Sequence, residues 1–294
     1  MPMPLIRPLR SFLAASAVLA VTGPLSAALI QPGRGGSDEL TLSGLFTGLA
    51  TGSCVHATRA DLEALPGVVS LHERLKPELP EVDLRVLPLL ELFKSLPPTA
   101  AADGIVLIGA DGWESFLPMA FVKTYHPYLL LRYDGKVPAQ GWPKIYGIKP
   151  LAPYFSDISP SLGPKLETPL EYGYNDANQL VEIRAVVTAA RYAPFYGGKL
   201  AGLSVAAVAG RKTFLRECSN CHLGPGEVGG NVAHRSFQLL CAQATLSKDY
   251  FTHFVRNSTL YLPDTVMAPY DQMSPTELDG LVAFLRECRE AGVN

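Results

Sequence analysis

Residues 216–222 read RECSNCH, which places Cys218 and Cys221 three positions apart and His222 directly after the second thiol. Two thiols at that spacing lie on one turn of chain, so they can pair, ligate a metal ion or form thioethers with an organic group. A redox-active pair would follow a strand inside a βαβ unit, whereas this pair closes a run of helix formers. A zinc site would need further ligands, for which Cys241 and Cys288 with His234 are the candidates. The third chemistry is covalent haem attachment. There the two sulfurs take the two vinyl groups, and the adjacent histidine turns back to ligate the iron.

An iron held by His222 on one face calls for a ligand on the other, and Met267, Met273, His234 and His253 lie downstream. Met267 stands in TVMAPYDQM, a proline-flanked loop ahead of the last helix, able to cross the far face of the ring. Met273 adjoins a helix cap and reads as packing. His253 lies on a short helix, where a solvated or satisfied role is the plain expectation.

The motif must be held by the elements around it. SVAAVAGRKTFLREC (Ser204–Cys218) has a serine cap followed by alanine, valine and straight-chain residues, which predicts a helix running into the motif. A second helix is expected over LSKDYFTHFVRNS and a third from Ser274. There Ser274 caps, Pro275 takes the first helical position and Glu277 completes a capping box. Leu278, Leu281, Val282 and Leu285 then share one face. Upstream the pattern differs. GIVLIGADGWESFLP and YLLLRYDGKVP are apolar runs closed by Asp-Gly turns, NQLVEIRAVV reads as a terminal strand, and ADLEALPG and LPLLELFKSL read as short helices. The expected fold is therefore an α+β N-terminal domain with short strands, followed by an all-α C-terminal domain.

Domain limits come from these shifts: 1–28 a signal peptide, 29–54 a lead-in, 55–192 the α+β domain, 193–203 a glycine-rich linker and 204–294 the helical domain. Arg7 and Arg10 flank the apolar run FLAASAVLAV, and Ser26-Ala27-Ala28 supplies small residues for cleavage. That run is short for a bilayer span. Export to the periplasm by a cleaved signal is the expectation, with retention as an N-terminal anchor the alternative. The protein would then be soluble or peripherally membrane-associated. With 25 basic and 27 acidic residues in 294, a net charge of −2 gives no footprint for nucleic acid. A helical domain of some 90 residues has a small core, and a buried cofactor would add to it.

From about Ala207 to Cys288 the chain resembles a class I c-type cytochrome. In such a domain an N-terminal helix leads into the attachment motif, a methionine loop comes next, and a C-terminal helix crosses the first. Gly210, Phe214 and Phe284 match its glycine and aromatic positions. The resemblance implies one covalent haem c, attached at Cys218 and Cys221, with His222 and Met267 as the metal ligands. Two departures stand out: Ala268 separates Met267 from Pro269, and EVGGNVAH lacks the Gly-Pro step whose carbonyl holds the histidine. Gly230 or its neighbour is expected to offer that carbonyl. Residues 55–188 more loosely resemble the molybdopterin-binding domain of the sulfite-oxidase family, through DLEALP, LPLLELF, DGWESFLP and LLLRYDGKVP. The region VVSLHERLKPELPEVDLR lacks that family's metal-ligand cysteine, so a scaffold without metal is expected.

The function expected from these readings is single-electron transfer by a periplasmic cytochrome, as a subunit or partner of a dehydrogenase or other redox complex. No catalytic residue is assigned. The alternative is a haem- or molybdopterin-dependent oxidoreductase with its own catalytic site. One haem edge near Cys218 and Cys221 is expected to face a partner. Cys241 and Cys288 are expected either as a disulfide pinning the last helix or as two buried thiols.

Overall fold

The computed structural model describes residues 36, 38–145, 149–166 and 176–293. The proposed signal peptide lies outside these residues. The strands and helices of the first part are β1 (Leu40–Gly44), β2 (Cys54–Ala57), α1 (Arg59–Glu63), β3 (Val69–Arg74), β4 (Glu81–Pro88), α2 (Leu89–Ser95) and β5 (Gly104–Gly109). They continue with β6 (Glu114–Pro118), α3 (Met119–Tyr125), β7 (Tyr128–Tyr133), β8 (Lys144–Ile145), β9 (Lys149–Pro150), β10 (Tyr154–Asp157) and β11 (Ala177–Val186). The second part holds α4 (Thr188–Tyr196), α5 (Val205–Thr213), α6 (Phe237–Leu246), α7 (Lys248–Arg256), α8 (Ser258–Tyr261) and α9 (Pro275–Glu290). The expected pairing of an α+β domain with a helical domain is what the chain forms. Among the described residues no helix is long and apolar enough to cross a membrane.

The main sheet runs β2-β1-β11-β10-β7-β4-β3, with β5 pairing β11 and β6 pairing β5. The stretch expected as a lead-in contributes β1 and the start of β2, and β1 lies parallel to β11, with Leu42 opposite Ile183. The ten residues of β11 pair with β1, β10 and β5, which makes it the sheet's organising strand.

Alternation along β5 and β6 explains how the two domains join. Side chains of a strand point to opposite faces in turn. Ile105, Leu107 and Leu117 therefore enter the core under α1–α3, while Val106 and Phe116 enter the core of the helical domain. The span expected as a linker is packed rather than open: α4 and the 3₁₀ turn Gly198–Gly202 bury Phe195 and Leu200 against that second core.

In the helical domain, Ser204 accepts from the Ala207 N–H to cap α5, and Ser274 with Glu277 forms the expected capping box on α9. These two helices cross at Gly210 and Gly280, and Phe214, Phe237 and Phe284 fill the space beside the crossing. The Phe214 ring centroid lies 5.7 Å from that of Phe284 and 5.7 Å from that of Phe237.

Candidate functional site

After Thr213 helix α5 widens into a π-helical turn, Phe214–Cys218, and the Ser219 N–H reaches back to the Phe214 carbonyl at 2.9 Å. Turns of this kind insert an extra residue and re-aim the chain beyond them, and they recur at functional sites. The next residues fold tightly. The N–H groups of Cys221 and His222 both donate to the Cys218 carbonyl, at 3.1 and 2.9 Å, so the two thiols and the imidazole sit on one turn. Ser219 Oγ donates to the Leu215 carbonyl at 2.7 Å, and Arg216 ties the turn to α9 through Glu277 at 2.9 Å.

Burial sets the protonation of this group. Desolvation pushes the Cys218 thiol up to about 12, with Glu217 and Cys221 adding to it. Cys221 is likewise pushed up to about 12 by desolvation, with Lys149 acting against the shift and Asp111 adding to it. His222 is lowered by desolvation alone, so its ring is neutral at pH 7. Its Nδ1 is buried with no hydrogen-bond partner. Neither Gly230 nor a neighbour offers it the expected carbonyl. The Gly230 N–H instead donates to Ser219 O at 2.8 Å.

Two protonated, enclosed thiols are poor nucleophiles, which argues against a redox-active pair. Among the described residues no group of three or more His, Cys, Asp and Glu side chains gathers as an ion site, so the second ligand pair that zinc requires is not brought in. The donor set fits a porphyrin iron better. A neutral imidazole stands on one turn with two thiols, Cys218 packs against the apolar cluster, and the neutral ring is the form that ligates iron.

Met267 packs against the same apolar cluster as Cys218. Ser258 Oγ donates to the Met267 carbonyl at 2.6 Å, and the Met267 N–H donates to Thr265 Oγ1 at 3.2 Å, so the loop backbone is fixed on both sides of the residue. Tyr270, three residues on, donates its hydroxyl to the Glu217 carbonyl at 2.8 Å and ties the methionine loop to the motif. Burial pushes the Tyr270 phenol well up, and Cys218 and Cys221 lie near enough to add to the shift. Met273 is 5% exposed in the core, matching a packing role. His234 is exposed, and His253 is exposed with its Nδ1–H donating to the Asp249 carbonyl at 2.7 Å.

Of the two arrangements expected for Cys241 and Cys288 the structure has the second: both are free thiols buried between α6 and α9, and no disulfide joins them. The thiol side of the motif does not simply face solvent. Both cysteines are half-buried, and the side chain of Asn220 between them donates to the Glu114 carbonyl of the front domain at 2.6 Å. Sequence reasoning missed helix α6 with Phe237, the Tyr270 anchor, and Asn220, whose side chain bonds to the front domain. Asn220 carries no signal of its own, because an asparagine between two cysteines has no preferred partner until the sheet is folded against it.

The family model for cytochrome C oxidase, cbb3-type, subunit III matches residues 205–285, which begins at the first residue of α5 and ends within α9. No curated protein matches the chain. The likeness covers the helical domain alone, and it supports a cytochrome-related fold there with a redox or electron-transfer role in general.

Proposed function

We propose that the helical domain is a c-type cytochrome carrying one haem, attached through thioethers at Cys218 and Cys221 and ligated by His222 and Met267. The observation that carries this reading is the single turn holding both thiols and a neutral imidazole. A bound haem would supply a reversible one-electron couple. The chain's part is to keep both axial donors in place in both oxidation states and to exclude water from the ring. Burial keeps His222 unprotonated, and the Ser258 and Tyr270 bonds hold the methionine loop against the motif. A thioether ligand in apolar surroundings favours the reduced iron.

The resulting role is single-electron transfer after export to the periplasm, from a redox protein such as a dehydrogenase subunit to an acceptor within a larger redox complex. The likeness to an oxidase subunit supports membership of such a complex. The α+β domain serves as the scaffold against which the haem domain is fixed, without a metal of its own.

The test is covalent mass. Expressed with export and haem-attachment machinery, the mature protein is expected to carry one haem in mass and to stain for haem peroxidase activity on a denaturing gel. Cys218→Ala with Cys221→Ala is expected to abolish both signals. A colourless polypeptide of unmodified mass would refute the reading.

A further inference from the structure

Three stretches of backbone meet on the Cys221 side of the motif. The Glu114 N–H donates to the Asn220 carbonyl at 3.0 Å, and Asn220 Nδ2 donates back to the Glu114 carbonyl at 2.6 Å. Beside this pair the Asn231 N–H donates to the Gly112 carbonyl at 2.8 Å. The approach leaves no room for a side chain: a β-carbon on Gly230 would lie 1.8 Å from the Asn220 oxygen and 2.9 Å from the Gly112 oxygen. Asn220 is 3% exposed. Below the contact Phe116 meets Tyr192 edge-on, with centroids 5.1 Å apart, and Arg191 bonds the Glu114 carboxylate.

Contacts between domains of one chain are by default looser and more mobile than this. Here a reciprocal pair of bonds, one from a side chain inside the attachment motif, continues the hydrogen bonding of β6 into the haem domain. The same turn carries Asp111 beside the Asn231 stretch, in which the Ala233 N–H donates to the Cys221 carbonyl at 3.3 Å.

We propose that the Asp111–Glu114 turn is a fixed cover over the Cys221 edge of the haem pocket, that Asn220 is the positioning residue holding it there, and that Asp111 on this cover tunes the reduction potential. The tuning rests on the haem reading above. Its sign is set by Coulomb's law. Reduction removes one positive charge from the iron, so a nearby carboxylate opposes it and a nearby ammonium favours it. Asp111 therefore lowers the potential. Its side chain is exposed, so salt weakens the effect.

The experiment has two arms on the full exported chain. Redox titration of Asp111→Asn is expected to shift the midpoint potential up, with the shift shrinking at high ionic strength. An unchanged potential, on protein of confirmed haem mass, would overturn the tuning. Hydrogen exchange measured by mass spectrometry forms the second arm and needs no bound haem. The Glu114 and Asn231 amides are expected to be protected in the unsubstituted protein and exposed in Asn220→Ala, with Asn220→Asp also failing to restore protection because a carboxylate cannot donate to the Glu114 carbonyl. Fast exchange of both amides in the unsubstituted protein, or undiminished protection in Asn220→Ala, would overturn the cover. Protein that lacks haem altogether would defeat the haem reading and leave the exchange arm to decide the cover by itself.

Discussion

Gly210 on α5 and Gly280 on α9 are in backbone contact: a β-carbon on Gly210 would lie 1.8 Å from the Gly280 carbonyl oxygen. The reverse is less severe, since a β-carbon on Gly280 would stand 3.1 Å from the Gly210 nitrogen and 3.2 Å from the Ala206 oxygen. Gly210→Ala is therefore expected to force the helices apart and to cost about 1–3 kcal/mol, as overpacking does. Gly280→Ala should cost less. Urea denaturation of the two variants side by side checks the order, and equal stabilities would contradict the geometry.

The cap of α9 makes a pH-dependent contribution. Hydrogen bonds from the Ser274 N–H, the Ser274 hydroxyl and then Arg216 hold the Glu277 carboxyl below its ordinary value of 4.5. A depressed carboxylate stabilises the fold above its unfolded pKa and loses that contribution as pH falls through the folded one. The side chain is 38% exposed, so solvent screens the Arg216 pair and the cap bonds dominate. Glu277→Gln is expected to lower stability at pH 7 by no more than about 1 kcal/mol, and the difference should vanish as pH falls below the depressed folded value. Thermal melts across that range measure it.

Met267 is the expected sixth ligand, and its loss should open one face of the iron. Carbon monoxide binds only where that face is open or weakly held. The reduced protein is expected to show little spectral change with carbon monoxide, and Met267→Ala a large one. Strong binding by the unsubstituted protein would assign Met267 to packing instead.

Arg59 is 9% exposed and bridges β7 and the residue just before β10. Its guanidinium donates to the Leu131 carbonyl at 2.6 Å and to the Pro153 carbonyl at 2.5 Å, and lies 4.3 Å from the Tyr154 ring centroid. Arg59→Leu leaves two carbonyls without their donor and is expected to cost about 1.5–3 kcal/mol. Because Arg59 lies in the front domain, haem mass should persist. Denaturant midpoints and intact mass on the same sample test both halves.

Thiol counting checks the two cysteines between α6 and α9. Burial pushes Cys241 up to about 12 and Cys288 higher still. Both should resist alkylation in the folded protein and react after denaturation without a reductant. Resistance that persists in denaturant until a reductant is added would indicate a disulfide.

The candidate residues stood out in the sequence because their pattern is local. Cys218, Cys221 and His222 declare themselves by spacing, Ser204 and Ser274 cap their helices from neighbouring residues, and the short strands at 104–109 and 128–133 arise from apolar runs bounded by turns. Met267 stood out by its place in a loop, and Gly210 by its match to the glycine position of the class I cytochromes that the segment resembles. The class of each domain was readable for the same reason: periodicity is a property of a few consecutive residues.

Only the tertiary structure decided what touches the motif. That Leu40–Gly44 joins β11 and not a lead-in, that the 193–203 span packs instead of swinging, and that Asn220 bonds to Glu114 all depend on contacts between residues far apart in the chain. A side chain's hydrogen-bonding capacity is written in its identity, but its partner is chosen by which surfaces the fold brings together, and burial of the thiols and the imidazole is a consequence of that choice.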